Sequence, residues 1–512
     1  MGRDVFYITT PIYYPNDVPH IGHAYTSVAA DVVARYHRLR GEEVFHLTGT
    51  DEHGLKLQRA AEAAGVDPQA WVDEMEPKWR EVWARLQIAN DDYIRTTEPR
   101  HEKAVRKLLQ DVHDNGRDDI YLGTYEGLYC VSCEAYYTED DLVDGNCPIH
   151  GRPVERVTEE NYFFRLSAYR ERLLAHYERD PAALEPETRR NEVMSLIRGG
   201  LQDFSISRTN FRWGIPLPWD ADHVCYVWFD ALANYLTAAG YGTDAERFAR
   251  VWPANVHLMA KDILRFHAVY WPAMLMAGGV EPPTQVWVHG YLTVGGQKMS
   301  KTNATGIHPF ELVDHFGVDS YRYCFMREIQ FGQDGSFSWE SMVARHNADL
   351  ANGLGNLASR VLAMLGTAFG GAVPEPGFEG AESDLPEVIE DAVRRYDEHL
   401  SVLGLTQALG AVWDVVGRAN GYLVEKEPWQ LAKDEARRTE LAGVLYAAAE
   451  TLRILAVLIC PIMPGAAERL WKQLGVAEAL EAQRLPSAGR WGLLAPGTAT
   501  SKGDALFPRL ES

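Results

Sequence analysis

Hydrophobic spacing along the chain changes period several times. Val5-Phe6-Tyr7-Ile8-Thr9-Thr10 is a short run of strand formers, and residues 11–19, bounded by Pro11 and Pro19, do not continue it well. From 22 to 40 the spacing is helical, with Val28, Val32, Tyr36 and Leu39 on one side and Gly41 as the stop. Glu43-Val44-Phe45-His46-Leu47-Thr48 reads as a second strand. Strand, helix and strand in that order predict a βαβ unit of a parallel, nucleotide-binding sheet. Ligands of such sheets sit at the carboxyl ends of the strands, which is where His20, His23 and Asp51 fall. Residues from about 116 to 222 are turn-rich. Alternation resumes with strand-like Cys225-Tyr226-Val227-Trp228-Phe229, then Val256-His257-Leu258-Met259, a helix over 263–277 and a strand over 285–289. Beyond about 345, Ala- and Leu-rich periodic segments predict an α-helical bundle, with the Gly/Pro/acidic stretch 370–387 linking two of its helices. Helical periodicity fades after Leu485, and the remaining tail is expected to pack back on the body. The expected fold class is α/β: a parallel-sheet domain interrupted by an inserted domain and followed by an α-helical bundle.

A chain of 512 residues accommodates two to four domains. The formal net charge of −22 argues against nonspecific adhesion to nucleic acid but leaves room for a local basic face. Arginines at 189–190 and the basic residues of 433–438 are candidates for one, although such runs are more often simply solvated helix faces. No uninterrupted apolar run reaches the roughly 18 residues of a membrane span; the best, 454–463, is too short and contains Pro461. Met1-Gly2-Arg3-Asp4-Val5 leads straight into a strand with no apolar signal region, so a cytosolic location is expected. Of six cysteines, Cys225, Cys324 and Cys460 have apolar or aromatic flanks and are expected as buried thiols.

Two distant segments carry candidate chemistry. Pro19-His20-Ile21-Gly22-His23 sets two imidazoles at i and i+3 where a strand gives way to a helix. A helix N-terminus attracts phosphate through its unpaired N–H groups and partial positive charge, and Gly22 allows close approach to the backbone. The plainer alternative is a pair of capping histidines. Gly295-Gly296-Gln297-Lys298-Met299-Ser300-Lys301-Thr302 predicts a mobile loop whose lysines close over a departing pyrophosphate; alone, it reads as a solvated turn. Neither segment lies near a serine or cysteine nucleophile with a base. In-line displacement on a nucleoside triphosphate, accompanied by Mg2+, follows as the expected mechanism. Cys130-x-x-Cys133, thirteen residues, then Cys147-x-x-His150 has zinc-knuckle spacing, and a closed site of three thiolates and one imidazole is structural. Disulfides are the alternative, disfavoured in a cytosolic chain.

These segments resemble the HIGH and KMSKS signatures of class I aminoacyl-tRNA synthetases, the second departing only at Thr302. The resemblance is closest to the methionyl-tRNA synthetase family and covers essentially the whole chain. It extends to Thr10-Pro11-Ile12-Tyr13-Tyr14, Thr48-Gly49-Thr50-Asp51-Glu52-His53-Gly54, Tyr226-Val227-Trp228-Phe229-Asp230-Ala231-Leu232 and Lys261-Asp262-Ile263-Leu264-Arg265-Phe266-His267. Ala260 stands where the family usually has Gly. The resemblance implies a Rossmann-type catalytic domain at 1–115 and 223–290, an inserted connective domain with a zinc knuckle at 116–222, a KMSKS-loop region at 291–345 and an anticodon-binding helical domain at 346–512. It implies a methionine–tRNA ligase that forms methionyl-adenylate from ATP and L-methionine and transfers the methionyl group to initiator and elongator tRNA(Met). His20, His23, Lys298 and Lys301 would be catalytic. Gly22, Asp262, Gly290 and Ser300 would join them in binding ATP. Ile12, Tyr14, Trp228, Ala231, Leu232, Tyr235, Ile263 and His267 would line the methionine side chain, with Asp51 on its ammonium. Cys130, Cys133, Cys147 and His150 would hold zinc. Asn356, Arg360 and Trp429 would meet the anticodon, where stacking on an aromatic ring contributes roughly 1–3 kcal/mol per base. One methyl group is worth only about 1–3 kcal/mol in an apolar pocket, so homocysteine is an expected competitor. With no dimerising domain visible, a monomer is expected. The rivals are a cysteinyl-type enzyme, against which the aromatic pocket and the Pro428-Trp429 segment argue, and a noncatalytic RNA- or nucleotide-binding module on a synthetase body, against which the intact motifs argue.

Overall fold

The computed structural model describes residues 5–132, 135–137, 139–149, 151–294, 297–298, 308–376 and 382–511. The chain divides into two compact units, one running up to Ala30 and over Glu43–Tyr291, the other comprising Asp31–Glu42 and most of the chain from Leu292 onward.

The first unit is built on a six-stranded sheet. Its order from edge to edge is Asp92–Arg95, Glu43–Thr50, Val5–Tyr13, Val256–Ala260, Val286–His289 and Leu184–Glu185. Every pairing is parallel. Such sheets are covered on both faces. Accordingly Val286–His289 is buried at each position and the first strand at all but Phe6 and Ile12. The first strand runs to Tyr13, past the proline expected to end it. Its register against the second strand shifts between Thr9 and Ile12, and an irregularity of that kind is where a residue without an N–H is tolerated. Helix Ile21–Leu39 then leads to the second strand.

The first strand lies between the second strand, formed soon after it, and Val256–Ala260, formed much later. The order of the sheet reverses here, and the carboxyl ends of these two strands open the crevice in which α/β sheets bind ligands.

Two predicted elements differ. Only Val224–Cys225 is strand, paired antiparallel with Ser207–Arg208, and Val227–Leu232 is helix. A short buried apolar run has no periodicity to separate the two states; here the N–H groups of Phe229 and Asp230 turn back to the carbonyl of Tyr226. The helix expected over 263–277 is broken into a 3₁₀ turn Lys261–Ile263, a π-helical turn Phe266–Tyr270 and an α-helix Trp271–Ala277. Pro272 has no N–H for the carbonyl of Ala268. The hydroxyl of Tyr177 donates to that carbonyl instead, at 2.6 Å.

The inserted segment forms a four-stranded antiparallel sheet in the order Ala135–Tyr137, Ile120–Cys130, Glu155–Phe164 and Phe204–Ser205. It also returns the edge strand Leu184–Glu185 to the parallel sheet.

The second unit is chiefly helical, with long helices Asn356–Phe369, Leu385–Leu400, Leu405–Lys426 and Arg438–Ile459. Glu435–Ile459 is long and apolar enough to cross a membrane by composition alone, but 94% of its most apolar window is buried inside the protein, as in the central helix of a bundle. Two charged residues of that helix, Glu450 and Arg453, are buried and paired at 2.7 Å. Glu450 accepts the backbone N–H groups of Gly492, Leu493 and Leu494, and Arg453 donates to the carbonyls of Ala488 and Arg490. Asn347 exchanges two hydrogen bonds with the backbone of Leu510. The tail therefore packs back on the helices as expected. Cys225 and Cys324 are buried, whereas Cys460 is half-buried, because it follows the end of the central helix rather than lying within it.

Candidate active-site crevice

His20 and His23 stand at the carboxyl end of the first strand, His20 just before the helix and His23 in its first turn. Their rings stack at 3.7 Å between centroids. Nδ1 of His20 accepts the N–H of Gly22 at 3.1 Å, and Nδ1 of His23 accepts the N–H of His20 at 3.3 Å. Both rings thus serve as caps, and the capping and functional readings of this motif are compatible. Tyr13 and Trp79 flank His23 at 4.9 and 5.1 Å. A Cβ on Gly22 would stand 3.0 Å from the His20 ring, so the glycine keeps that ring in place.

Across the crevice, Lys261, Asp262 and Ile263 follow Val256–Ala260. Asp262 is exposed, and its charge contributes to raising Tyr13 to about 12, after burial. Lys261 Nζ lies 4.3 Å above the ring of Tyr291. The next strand ends at His289, whose Nδ1–H donates to the carbonyl of Gly290 at 2.7 Å. Its Nε2 is then the acceptor for the hydroxyl of Thr26 at 2.7 Å. Burial holds this ring neutral, with a pKa lowered to about 4. His289 thus ties the helix that begins at the two-histidine motif to the segment of Gly290.

An apolar wall completes the site. Ile12, Tyr14, Trp228 and Ile263 are partly buried against the core that contains Leu232 and Tyr235, and Ala231 is buried on the helix of Trp228. Trp228 stacks on Phe266 at 3.7 Å and 6°. His267 is buried, and Nδ1–H donates to the carbonyl of Ile263 at 3.1 Å, which leaves Nε2 to accept the Tyr235 hydroxyl at 2.8 Å. Burial lowers the His267 pKa to about 4, so the ring is a neutral acceptor. Tyr235 is pushed far above the phenol range by burial, with smaller contributions from Tyr13 and Asp51. Asp51 is buried, and its N–H donates to the carbonyl of Tyr13 at 2.9 Å. Beneath this wall, Trp271 donates to Nε2 of His257, whose Nδ1–H bonds Thr9 at 2.8 Å. Thr26, His289, His257 and Phe266 were given no site role from sequence. Only the placement of His289 at the end of an apolar run before Gly290 offered a signal.

Among the lysine-loop residues, Gln297 and Lys298 form a short strand antiparallel to Leu292–Val294, so these two positions are paired strand rather than open loop. Ser300 and Lys301 lie outside the described residues. Of the expected zinc ligands, Cys130 and Cys147 are buried, while Cys133 and His150 lie outside the described residues. The described residues on either side of Cys147 turn tightly, with positive φ at Asp144, Gly145 and Gly151 and the N–H of Gly151 bonded to the carbonyl of Cys147. No cluster of three metal-ligating side chains forms among the described residues. In the second unit, Asn356 and Arg360 lie one turn apart at the start of helix Asn356–Phe369. The Arg360 guanidinium sits 5.1 Å from the ring centroid of Trp429, which is 37% exposed.

The model of "tRNA synthetases class I (M)" matches residues 6–156 and 141–362, and that of the "anticodon binding domain of methionyl tRNA ligase" matches 373–512. The methionine–tRNA ligase of Streptomyces coelicolor is 52% identical, the alignment covering 100% of this chain and 97% of the relative. That of Bacillus subtilis is 45% identical over 100% of this chain and 78% of the relative. The Mycobacterium tuberculosis methionyl-tRNA synthetase in complex with methionyl-adenylate superimposes with a TM-score of 0.95 at 45% identity, covering 99% of this chain and 100% of that one. The apo form of the same enzyme gives 0.86 at 43% identity, covering 100% and 99%.

Proposed function

The chain belongs to the methionyl-tRNA synthetases of class I, and from that premise we propose how its residues divide the work of activating methionine and charging tRNA(Met). The observation that carries the reading is the convergence, at the switch point of the parallel sheet, of the His20–His23 pair with an apolar wall and the Asp51 carboxylate. ATP enters with its phosphates toward His20, Gly22 and His23 and its ribose toward Asp262, with adenine near Gly290. Mg2+ bound with the triphosphate would offset part of its charge. Methionine binds with its ammonium on Asp51 and its thioether against Ile12, Tyr14, Trp228, Ala231, Leu232, Tyr235, Ile263 and His267. A polarizable sulfur packs well on such aromatic edges. One methionine carboxylate oxygen attacks the α-phosphorus in line, and pyrophosphate leaves. Lys298, Ser300 and Lys301 would stabilise the charge that develops on it. Positioning and electrostatics supply the rate.

Cys130, Cys133, Cys147 and His150 would hold one zinc ion. Two of these ligands are buried thiols and the chain bends tightly around Cys147, as a small metal knuckle requires. The ion would brace the inserted sheet and take no part in the reaction. Asn356, Arg360 and Trp429 read the anticodon, a reading supported by the Arg360–Trp429 pair, a preformed stacking surface. One chain supplies both crevice and bundle, so a monomer suffices, working in the cytosol where its substrates are. The test is pyrophosphate exchange with each of the twenty amino acids. Methionine alone should stimulate strongly; stimulation by cysteine or leucine with none by methionine refutes the assignment.

A further inference from the structure

We propose that Asp230, which no substrate contact requires, is a positioning residue that locks the loop carrying Asp51 to the helix carrying Trp228, Ala231 and Leu232, and so sets the fit of methionine. The proposal rests on the methionine pocket described above. The loop leaving the second strand is fixed by its backbone. Asp51 N–H bonds the carbonyl of Tyr13, Glu52 N–H bonds Thr96 Oγ1 at 2.8 Å, and Gly54 N–H bonds the carbonyl of Trp213. Trp213 returns a bond from its indole N–H to the carbonyl of Glu52 at 2.6 Å, and its ring meets that of His53 edge-on at 5.4 Å. His53 is the side chain of this loop that reaches the opposite wall.

There it meets Asp230, which is fully buried on helix Val227–Leu232. Oδ2 of Asp230 bonds Nδ1 of His53 at 2.7 Å, and Oδ1 bonds Nε2 of His101 at 2.7 Å. A carboxylate only accepts, so both imidazoles turn an N–H toward it. The far nitrogen of His101 bonds Thr237 Oγ1 at 3.0 Å, and Thr237 bonds the carbonyl of Ala233, the residue that follows the helix of Trp228. Three elements are joined at one carboxylate: the Asp51 loop, the pocket helix and helix Pro99–His113, which carries His101. Burial would push the carboxyl up, but the two facing histidines outweigh it and hold Asp230 near about 2, ionised at neutral pH. A buried ionic cluster is weak as a source of stability, since apolar residues of equal size often do as well. Its directional bonds instead fix register. Here the register in question is the spacing between the ammonium site and the side-chain wall two residues before and one after Asp230.

The experiment is pyrophosphate exchange by the full chain, with KM for methionine and for ATP measured separately. Asn at 53 offers an amide N–H close to where Nδ1 stands, whereas Ala offers none. Loss of a charge-assisted hydrogen bond predicts a methionine KM raised roughly tenfold in His53→Ala and Asp230→Asn, with the ATP KM within about twofold and His53→Asn largely restored. Asp51→Asn serves as the reference for the pocket itself. If Asp51→Asn raises the methionine KM selectively while His53→Ala shifts both substrates alike, or neither, the proposal is overturned. If Asp51→Asn leaves the methionine KM unchanged, the pocket reading is what has failed and the positioning role falls with it. Should Asp230→Asn not fold, the two His53 variants decide the matter.

Discussion

His289 makes the catalytic unit sensitive to acid in a way that can be isolated. The ring is buried, donates from Nδ1 to Gly290 and accepts from Thr26 on Nε2, so the folded state has no place for a second proton. Burial, the larger effect, lowers its pKa from 6.5 to about 4, outweighing the bond to Gly290. In the unfolded chain the same ring takes up a proton as pH falls through its ordinary value. The stabilisation is therefore complete above about pH 6.5, is lost progressively between there and about 4, and changes no further below that. A shift of this size corresponds to about 3 kcal/mol in total, of which about 2 kcal/mol is gone by pH 5. On a unit of this size about 2 kcal/mol moves the melting temperature by roughly 4 °C. His289→Gln removes the titration, so any cost of the substitution itself is carried equally at every pH. Thermal melts of both proteins at pH 7.5 and 5.0 give the comparison. The wild type should lose about 4 °C more than the variant over that interval. Equal losses would refute the assignment of a neutral, locked imidazole at this position. His267, also lowered to about 4 by burial, should contribute in the same direction.

Other outcomes follow from the same structure. Tyr235→Phe strips His267 Nε2 of its donor, and leaving a buried acceptor unpaired costs about 1–3 kcal/mol, so kcat/KM for methionine should fall roughly tenfold. Trp429→Ala removes the ring beside Arg360; the KM for tRNA should rise roughly tenfold while tRNA-independent pyrophosphate exchange stays unchanged. Lys301→Ala should slow adenylate formation by about 10²–10³ with tRNA affinity intact, and equal loss of both would remove its assigned role. Metal analysis of the purified protein should find one zinc per chain, and Cys147→Ser should abolish it; zinc retained at full stoichiometry in that variant would rule out the knuckle.

Much of the architecture was legible because it follows from period and order. Val5 to Thr10, the helix after Gly22 and Glu43 to Thr48 declare a parallel βαβ unit without help, and the site then falls at the strand ends by topology alone. What sequence missed was local and decided by partners. Tyr226 to Phe229 carries the composition of a strand, yet only backbone bonds to Tyr226 determine that it turns helical. The π-helical turn at Phe266 depends on Pro272 and on a hydroxyl from Tyr177, nearly a hundred residues earlier, so no window of spacing reveals it. At the site, single residues with strong motifs could be given roles, whereas His289, His257 and Asp230 stood in recognised segments without one. Their roles come from which nitrogen or oxygen meets which neighbour, and one-dimensional spacing does not carry that information.

The Glu450–Arg453 pair has a consequence for how this protein diverges. Neither residue tolerates replacement alone, because the survivor becomes a buried charge without a counterion, at a cost of about 3–5 kcal/mol. An apolar pair at both positions is the usual escape, but it is closed here. Three amide hydrogens from Gly492 to Leu494 and two carbonyls at Ala488 and Arg490 would lose their partners at once. The helix positions and the conformation of the returning tail are therefore a single heritable character. In descendants of this lineage they are expected to persist together or to vanish together with a rebuilt tail, and intermediates between those two states should be selected against.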